Sequence, residues 1–280
     1  MLEVTQFGDV TQLKMGREVG DNVPDNAPLV QGKQVFYWTA AYLVDSLLID
    51  TGCSYTVEEL AQFLEGKYIK FAVNTHSHED HISGNSVLQK RFGIKIYASR
   101  ESIPLIKKMP RLLQYQQLVW GYPVPTEVDL IPRKLETEHY CFDVIDTPGH
   151  CKGHIALVER SQGWCFSGDL YVSPEPKAIR PEEDMAEVVR SMKKLIEYPT
   201  DKLTLFTSLG LVVPDGREAL QICVKFLQES AHRAKELARQ GLSITTIRDK
   251  LFGRESILAS VTEGDVSAEN MVRALLGANI

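Results

Sequence analysis

The stretch Phe71-Ala72-Val73-Asn74-Thr75-His76-Ser77-His78-Glu79-Asp80-His81 sets a short apolar strand against a cluster of metal-ligating side chains. The chain has 7 histidines, and three of them fall within six residues here. Neutral imidazole suits zinc, iron or nickel, and carboxylate is a harder ligand. In extended backbone, residues two apart point to the same side, so His76 and His78 can reach one ion. Asp80 and His81 follow where the chain turns into a helix, and they can point at a second position. Glu79 is expected to face solvent, away from His78.

Outward from this stretch, strands and helices alternate. Val35–Val44 is β-branched and aromatic, Asp45-Ser46 reads as a turn, and Leu47–Ile49 as a second strand. A T-x-x-E capping box at Thr56–Glu59 predicts a helix to Gly66. A helix over Ser86–Phe92 and a strand over Ile94–Ala98 follow. The Pro-interrupted segment 101–134 reads as an insertion or lid, helical around Arg111–Val119. Strands are expected at Cys141–Ile145, Ile155–Val158, Trp164–Ser167 and Leu203–Phe206, with a helix at Asp184–Ile196. From Arg217 to the end the pattern is helical. The expected division is a catalytic domain over 1–214 and a helical appendage over 215–280. Mixed short strands and helices indicate an α/β protein with a mixed sheet.

At 280 residues, 44% hydrophobic and 24% charged, the composition is that of a globular protein with a sizeable core. The net charge of −6 argues against a nucleic-acid backbone as partner. No N-terminal leader and no stretch of ~20 apolar residues is read, so no membrane partner is expected and a cytoplasmic location is the default. The 5 cysteines include no C-x-x-C pair, which excludes a thiolate zinc site. Cys141, Cys165 and Cys223 are expected as buried thiols, and packed thiols are the safer reading for Cys53 and Cys151.

The pattern H-x-H-x-D-H after an apolar strand resembles the metallo-β-lactamase superfamily, which includes glyoxalase II and lactonases. Further motifs follow in order: Asp50-Thr51-Gly52 resembles its D-T-G turn, Thr147-Pro148-Gly149-His150 its T-P-G-H loop, and Ser167-Gly168-Asp169 its S/G-G-D segment. The resemblance spans roughly residues 35–215. It implies a four-layer αββα sandwich. It also implies that His76, His78 and His150 bind a first metal, that Asp80 and His81 bind a second, and that Asp169 bridges them. Asp80 would orient and deprotonate the attacking water, and Asp50 would brace a ligand histidine. His154 and Tyr171 are weaker candidates for the substrate pocket, with a structural role favoured for His154.

One departure concerns the family's last second-metal histidine. In Phe206-Thr207-Ser208-Leu209-Gly210 the place falls to Leu209, which cannot bind metal. His139 and His232 are read as a loop residue and a solvent-facing helix residue. One or two ions are therefore expected, zinc first, with iron or manganese as alternatives. The implied activity is hydrolysis of an ester, thioester, lactone or amide of a small molecule by a metal-bound hydroxide. The alternatives are a mononuclear-iron oxidoreductase of the persulfide dioxygenase type, using His76, His150 and Asp169, or a binding protein with a vestigial site. A homodimer is the default assembly. Segment 101–134 and the helical tail would form the pocket; Tyr115, Trp120 and Tyr122 are its aromatic candidates, with lid packing or oligomer contacts the favoured reading for them.

Overall fold

The structure is a computed structural model and describes residues 1–18 and 35–280. The first sheet holds seven strands in chain order: β1 (Leu2–Phe7), β2 (Val10–Glu18), β3 (Val35–Val44), β4 (Leu47–Ile49), β5 (Phe71–Val73), β6 (Lys95–Ala98) and β7 (Asp129–Leu130). Strands β1 to β4 pair antiparallel, and β4 to β7 pair parallel. The second sheet runs from β8 (Lys134–Glu136) through β9 (Cys141–Asp146), β10 (Ile155–Glu159), β11 (Trp164–Gly168) and β12 (Thr204–Thr207) to β13 (Val212–Val213). Here β11 and β12 are parallel and the other neighbours antiparallel.

The helices are α1 (Val57–Leu64), α2 (Glu79–Ile82), α3 (Asn85–Phe92), α4 (Ile103–Ile106), α5 (Gln114–Val119), α6 (Met185–Ile196), α7 (Gly216–Arg239), α8 (Ile244–Leu251), α9 (Ile257–Val261) and α10 (Ala268–Gly277). Three apolar cores glue four layers. Tyr42, Ile49 and Val73 meet Phe142, Leu157, Phe166 and Phe206 between the sheets. Leu60 and Leu64 of α1 and Leu88 of α3 cover the first sheet against Leu48, Ala72 and Ile96. On the other side Val189 and Met192 of α6, with Leu220 and Leu227 of α7, cover Ala156, Val158 and Leu205. The architecture is the expected αββα sandwich. Burying both faces of each helix-covered sheet explains why β4 and β5 are apolar throughout and β10 is apolar up to its last residue, Glu159.

The tail is continuous with this core, since α7 packs on α6 and α10 on α7. Segment 101–134 contributes α4 and α5 and then crosses from β7 in one sheet toward β8 in the other. Among the described residues, no helix is long and apolar enough to cross a membrane.

Several local expectations need correction. The strands begin at Leu2, well before Val35; β2 hides its character because buried Gln12 sits among its apolar residues, donating to Tyr42 Oη and the Gly210 carbonyl. Helix α1 starts after Thr56, but that side chain makes no cap; its Oγ1 bonds the Cys53 carbonyl. Cys141 is exposed, because it begins β9 on the outward-facing side of the strand. Cys53, Cys165 and Cys223 are buried.

Candidate metal centre

The parallel pairs decide where the site forms. Strands β4 and β5 end side by side, as do β11 and β12, so their following turns gather at one rim of the sandwich. Asp50 follows β4, Thr75 and His76 follow β5, Asp169 follows β11 and Ser208 follows β12. The turn before β10 brings His150 to the same rim. Two positions need unusual backbone. Asp50 has φ +60, a conformation that a non-glycine residue adopts at some cost. At Gly168, φ is +51 and a Cβ would come within 2.5 Å of His154 Nε2. These twists aim Asp50 and Asp169 into the site.

Four ligand atoms of His76, His78, His150 and Asp169 lie within 4.8 Å of one another. His76 Nε2 is 3.1 Å and His150 Nε2 2.9 Å from His78 Nδ1, and His150 Nε2 is 3.4 Å from Asp169 Oδ2. Beside them His81 Nε2 lies 3.5 Å from Asp80 Oδ2 and 3.4 Å from Asp169 Oδ1. The structure thus brings all six expected ligands together, with Asp169 facing both groups.

The outer ring nitrogens are fixed. Asp50 accepts from the Thr75 N–H (2.8 Å) and Thr75 Oγ1 (2.8 Å), and its Oδ2 lies 2.9 Å from His81 Nδ1. With its hydroxyl donated to Asp50, Thr75 Oγ1 can accept from His76 Nδ1 at 3.0 Å. His150 Nδ1 meets Glu183 Oε2 at 3.2 Å. Held in this way, each ring turns its other nitrogen toward the site, where it can bind an ion whenever the ring is neutral, the arrangement that metal-binding histidines use.

The electrostatics divide the site. Burial and the surrounding imidazoles hold His76 and His78 well below the ordinary histidine value, so both are neutral. Burial also pushes His81 down, but Asp80, Asp50 and Asp169 together outweigh it and hold the ring well above that value. Burial raises Asp80, and His81 beside it only partly compensates. Burial alone would raise Asp169, yet His81 and His150 hold it well below the usual carboxylate range.

These residues fit a bound cation. His81 Nε2 is buried and has no hydrogen-bond partner. A buried polar atom left in this way calls for a ligand, and four imidazoles with two carboxylates form a donor set suited to zinc, iron or manganese.

Other expectations move. The side chain turned toward the site after β12 is Ser208's, not that of Leu209: Ser208 Oγ donates to Asp169 Oδ1. Glu79 is buried rather than solvent-facing, because the α2 turn points it at the lid, where Gln116 Nε2 donates to it at 2.9 Å. Its carboxyl is pushed up to about 6 by burial and by Asp80. His154 uses both nitrogens internally: Nδ1 meets Thr147 Oγ1 at 2.9 Å, and Nε2 accepts from the Asp169 N–H at 3.1 Å. It fixes the turn that carries Asp169 and does not line the pocket. Tyr171 is buried in the apolar core with Ile179 and Cys223 instead of in the cleft. His232 is solvent-exposed and pairs with Glu236. His139 lies in an exposed cluster with Asp45 and Glu138.

A cavity of about 310 Å³ opens beside the ligands, with His78, Asp80, His150 and Asp169 at its polar end. Tyr115, Val119 and Trp120 of the 101–134 segment wall one side, while Tyr122 sits 41% exposed on the surface. Sequence reasoning missed Tyr37, Arg180, Glu183 and Ser208. A strand register carried past Phe206 could have pointed to Ser208. Nothing local marks Glu183, which is 33 residues from the histidine it holds.

The sequence profile of the metallo-beta-lactamase superfamily matches residues 39–205, and the chain belongs to that superfamily. It is similar to the hydroxyacylglutathione hydrolase GloC of Haemophilus influenzae, 24% identical over 186 residues, covering 62% of this chain and 84% of that one. A hydroxyacylglutathione hydrolase of Thermosynechococcus vestitus is 34% identical over 144 residues, covering 51% of this chain and 50% of that protein. Against this second relative the match thus spans only half its length. The crystal structure of a beta-lactamase domain protein from Burkholderia ambifaria superposes with a TM-score of 0.69 at 15% identity, covering 98% of this chain and 86% of that one. That overlap takes in the helical tail.

Proposed function

We propose that this protein is a metal-dependent hydrolase of small-molecule esters or thioesters. The observation that carries the reading is the convergence of His76, His78, His150 and Asp169 beside the orphaned His81 Nε2, at the polar end of a cavity. His76, His78 and His150 would hold one ion, and Asp80, His81 and Asp169 a second. When bound, such an ion lowers the pKa of water from 15.7 to about 7 and polarises a carbonyl.

The chain's own residues supply the rest. Asp80 faces the cavity, and burial makes its carboxylate a stronger base than usual, suited to taking the proton of the attacking water. Tyr37 also lines the cavity; burial and the nearby Asp80 and Asp169 keep its phenol protonated, so it can donate to a substrate oxygen. Tyr115, Val119 and Trp120 exclude bulk water, which strengthens these electrostatic interactions. The relatives named for hydrolysis of a glutathione thioester support an acyl substrate, with the thioester as first candidate.

The test joins elemental analysis of the purified protein to hydrolysis assays on thioesters, lactones and simple esters. Stoichiometric zinc or manganese with thioester or ester turnover, abolished in Asp80→Asn, is the expected result. Protein that takes up no stoichiometric metal, or hydrolyses none of these, overturns the reading. Stoichiometric iron with oxygen consumption would transfer it to a mononuclear oxidoreductase.

A further inference from the structure

We propose that the cavity beside the metal ligands is a subsite for a medium-length aliphatic acyl chain, with Arg180 gripping its carboxyl head. The inference rests on the hydrolytic reading above and names its substrate class: esters or thioesters of medium-chain carboxylic acids.

Two observations carry it. The first is the two-ended lining of the cavity. Away from the ligands its wall is built from Leu170, Val188, Met192, Leu227 and Val261, contributed by the turn after β11 and by α6, α7 and α9. This end holds no charged side chain. Ser173 and Thr262 carry the aliphatic hydroxyls of the lining, and Thr262 Oγ1 is already engaged with the Leu258 carbonyl and the Val266 N–H. A peptide-like or sugar-like group would therefore lose its water and find few partners, at a cost of a few kcal/mol per unsatisfied polar group. An aliphatic chain loses nothing there. The volume of about 310 Å³ has room for roughly ten groups of water size, which sets the chain at medium length.

The second observation is Arg180. Its side chain is only 11% exposed and lines the polar end of the same cavity. Its backbone is pinned: Arg180 N–H donates to Glu183 Oε1 at 3.0 Å, and Ile179 bridges to Ser267. The guanidinium lies 5.6 Å from the Trp120 ring centre. Its nearest carboxylates are Glu79 at 3.7 Å and Asp265 at 4.0 Å, beyond hydrogen-bonding reach. Among the described residues the guanidinium donates no hydrogen bond. Glu79 and Asp265 hold it in place but leave its N–H fork unused, and a carboxyl group accepts such a fork in two places at once.

In the reaction the water oxygen bonds to the acyl carbon and the carbon–sulfur or carbon–oxygen bond breaks. The leaving thiol or alcohol takes a proton, and the acid product ionises and releases one proton to solvent. Arg180 donates first to the acyl carbonyl oxygen and last to the product carboxylate, while the chain stays in the apolar end throughout.

The experiment has a binding arm and a turnover arm, both on the protein as purified. Calorimetric titration with butyrate, hexanoate, octanoate and 1-octanol is run beside hydrolysis of acetyl to decanoyl thioesters. Affinity for the carboxylates should rise by about fourfold per added methylene up to the cavity's capacity. Arg180→Gln should weaken octanoate by about tenfold or more while leaving 1-octanol nearly unchanged. Val261→Phe, which narrows the apolar end from α9, should move the preferred acyl length downward. Equal binding of butyrate and octanoate overturns the proposal, as does an Arg180→Gln variant that binds octanoate as the parent does. Should Arg180→Gln fail to fold, the chain-length series and Val261→Phe still decide. Chain-length-dependent binding without turnover would keep the subsite and sink the hydrolytic reading. Turnover indifferent to chain length would keep the hydrolase and sink the subsite.

Discussion

The two halves of the metal centre share Asp169 but are built on opposite principles. The first half, His76, His78 and His150, is rich in imidazole. Burial keeps His76 and His78 neutral, so an ion entering there displaces no proton from them. The second half, Asp80, His81 and Asp169, is rich in carboxylate, and those acids hold a proton on His81. An ion entering there must evict that proton, and it meets Ser208 where a fourth ligand could stand. The difference teaches that identical ligand types, a few ångströms apart, can differ in readiness through charge balance alone.

Four experiments would break or sharpen that contrast. The largest effect is expected from His150→Ala, which removes a ligand of the ready half. Hydrolysis should fall by roughly 10³-fold or more, because water activation by the ion is lost; steady-state kinetics and metal content checked together would show it, and an active metal-poor variant would refute the assignment. Glu183→Gln comes next. It keeps His150 in place but weakens the acceptor on its Nδ1, and metal affinity should drop by about 10–100-fold in competition with a chelator. An unchanged affinity would mean that the 3.2 Å contact has no bearing on the metal.

Ser208→His tests the incomplete half. It should raise the number of ions bound per chain at limiting zinc, by severalfold rather than by orders of magnitude, as seen by elemental analysis after dialysis. No gain would show that the turn after β12 cannot reach the second position. The smallest effect is the pH dependence of that position. His81 is raised in the folded protein, so the proton competing with the second ion is fully present at low pH. It is lost only as pH rises through the raised value. Uptake of the second ion should therefore strengthen with pH, while the first position, where His76 and His78 are lowered and only His150 is raised against its burial by Glu183 and Asp169, should respond less. Equal slopes for both in a pH-resolved titration would erase the distinction.

Much of this centre was legible before any coordinates. His76, His78, Asp80 and His81 sit in one run, and strand geometry with a following turn already divides them into pairs. Asp50, His150 and Asp169 required the family resemblance, because nothing in a lone T-P-G-H or S-G-D says which other segment it will meet. At the end of β12 the motif comparison put Leu209 at the family's histidine position, and it gave no sign that the neighbouring Ser208 would reach Asp169. Glu79 was misread because extended geometry was carried one residue too far into what is the first turn of α2. Tyr171 was placed near the cleft by sequence proximity to Asp169, and His154, for which a structural role was favoured, was kept as a weaker pocket candidate beside His150. In the fold one is core and the other fixes a turn.

The sequence by itself determined the mixed α/β class and the division of His76 and His78 from Asp80 and His81, which follow from periodicity and ligand chemistry. The four-layer sandwich and the rest of the donor set are what the resemblance of its motifs to a known family implied. Only the tertiary structure decided which groups brace the imidazoles, that Ser208 rather than Leu209 faces Asp169, and that Arg180 stands unpaired by hydrogen bonds at the head of an apolar cavity. Those facts depend on how the rims of two sheets and the faces of α6, α7 and α9 meet, and contacts between segments so far apart in the chain leave no local periodic trace.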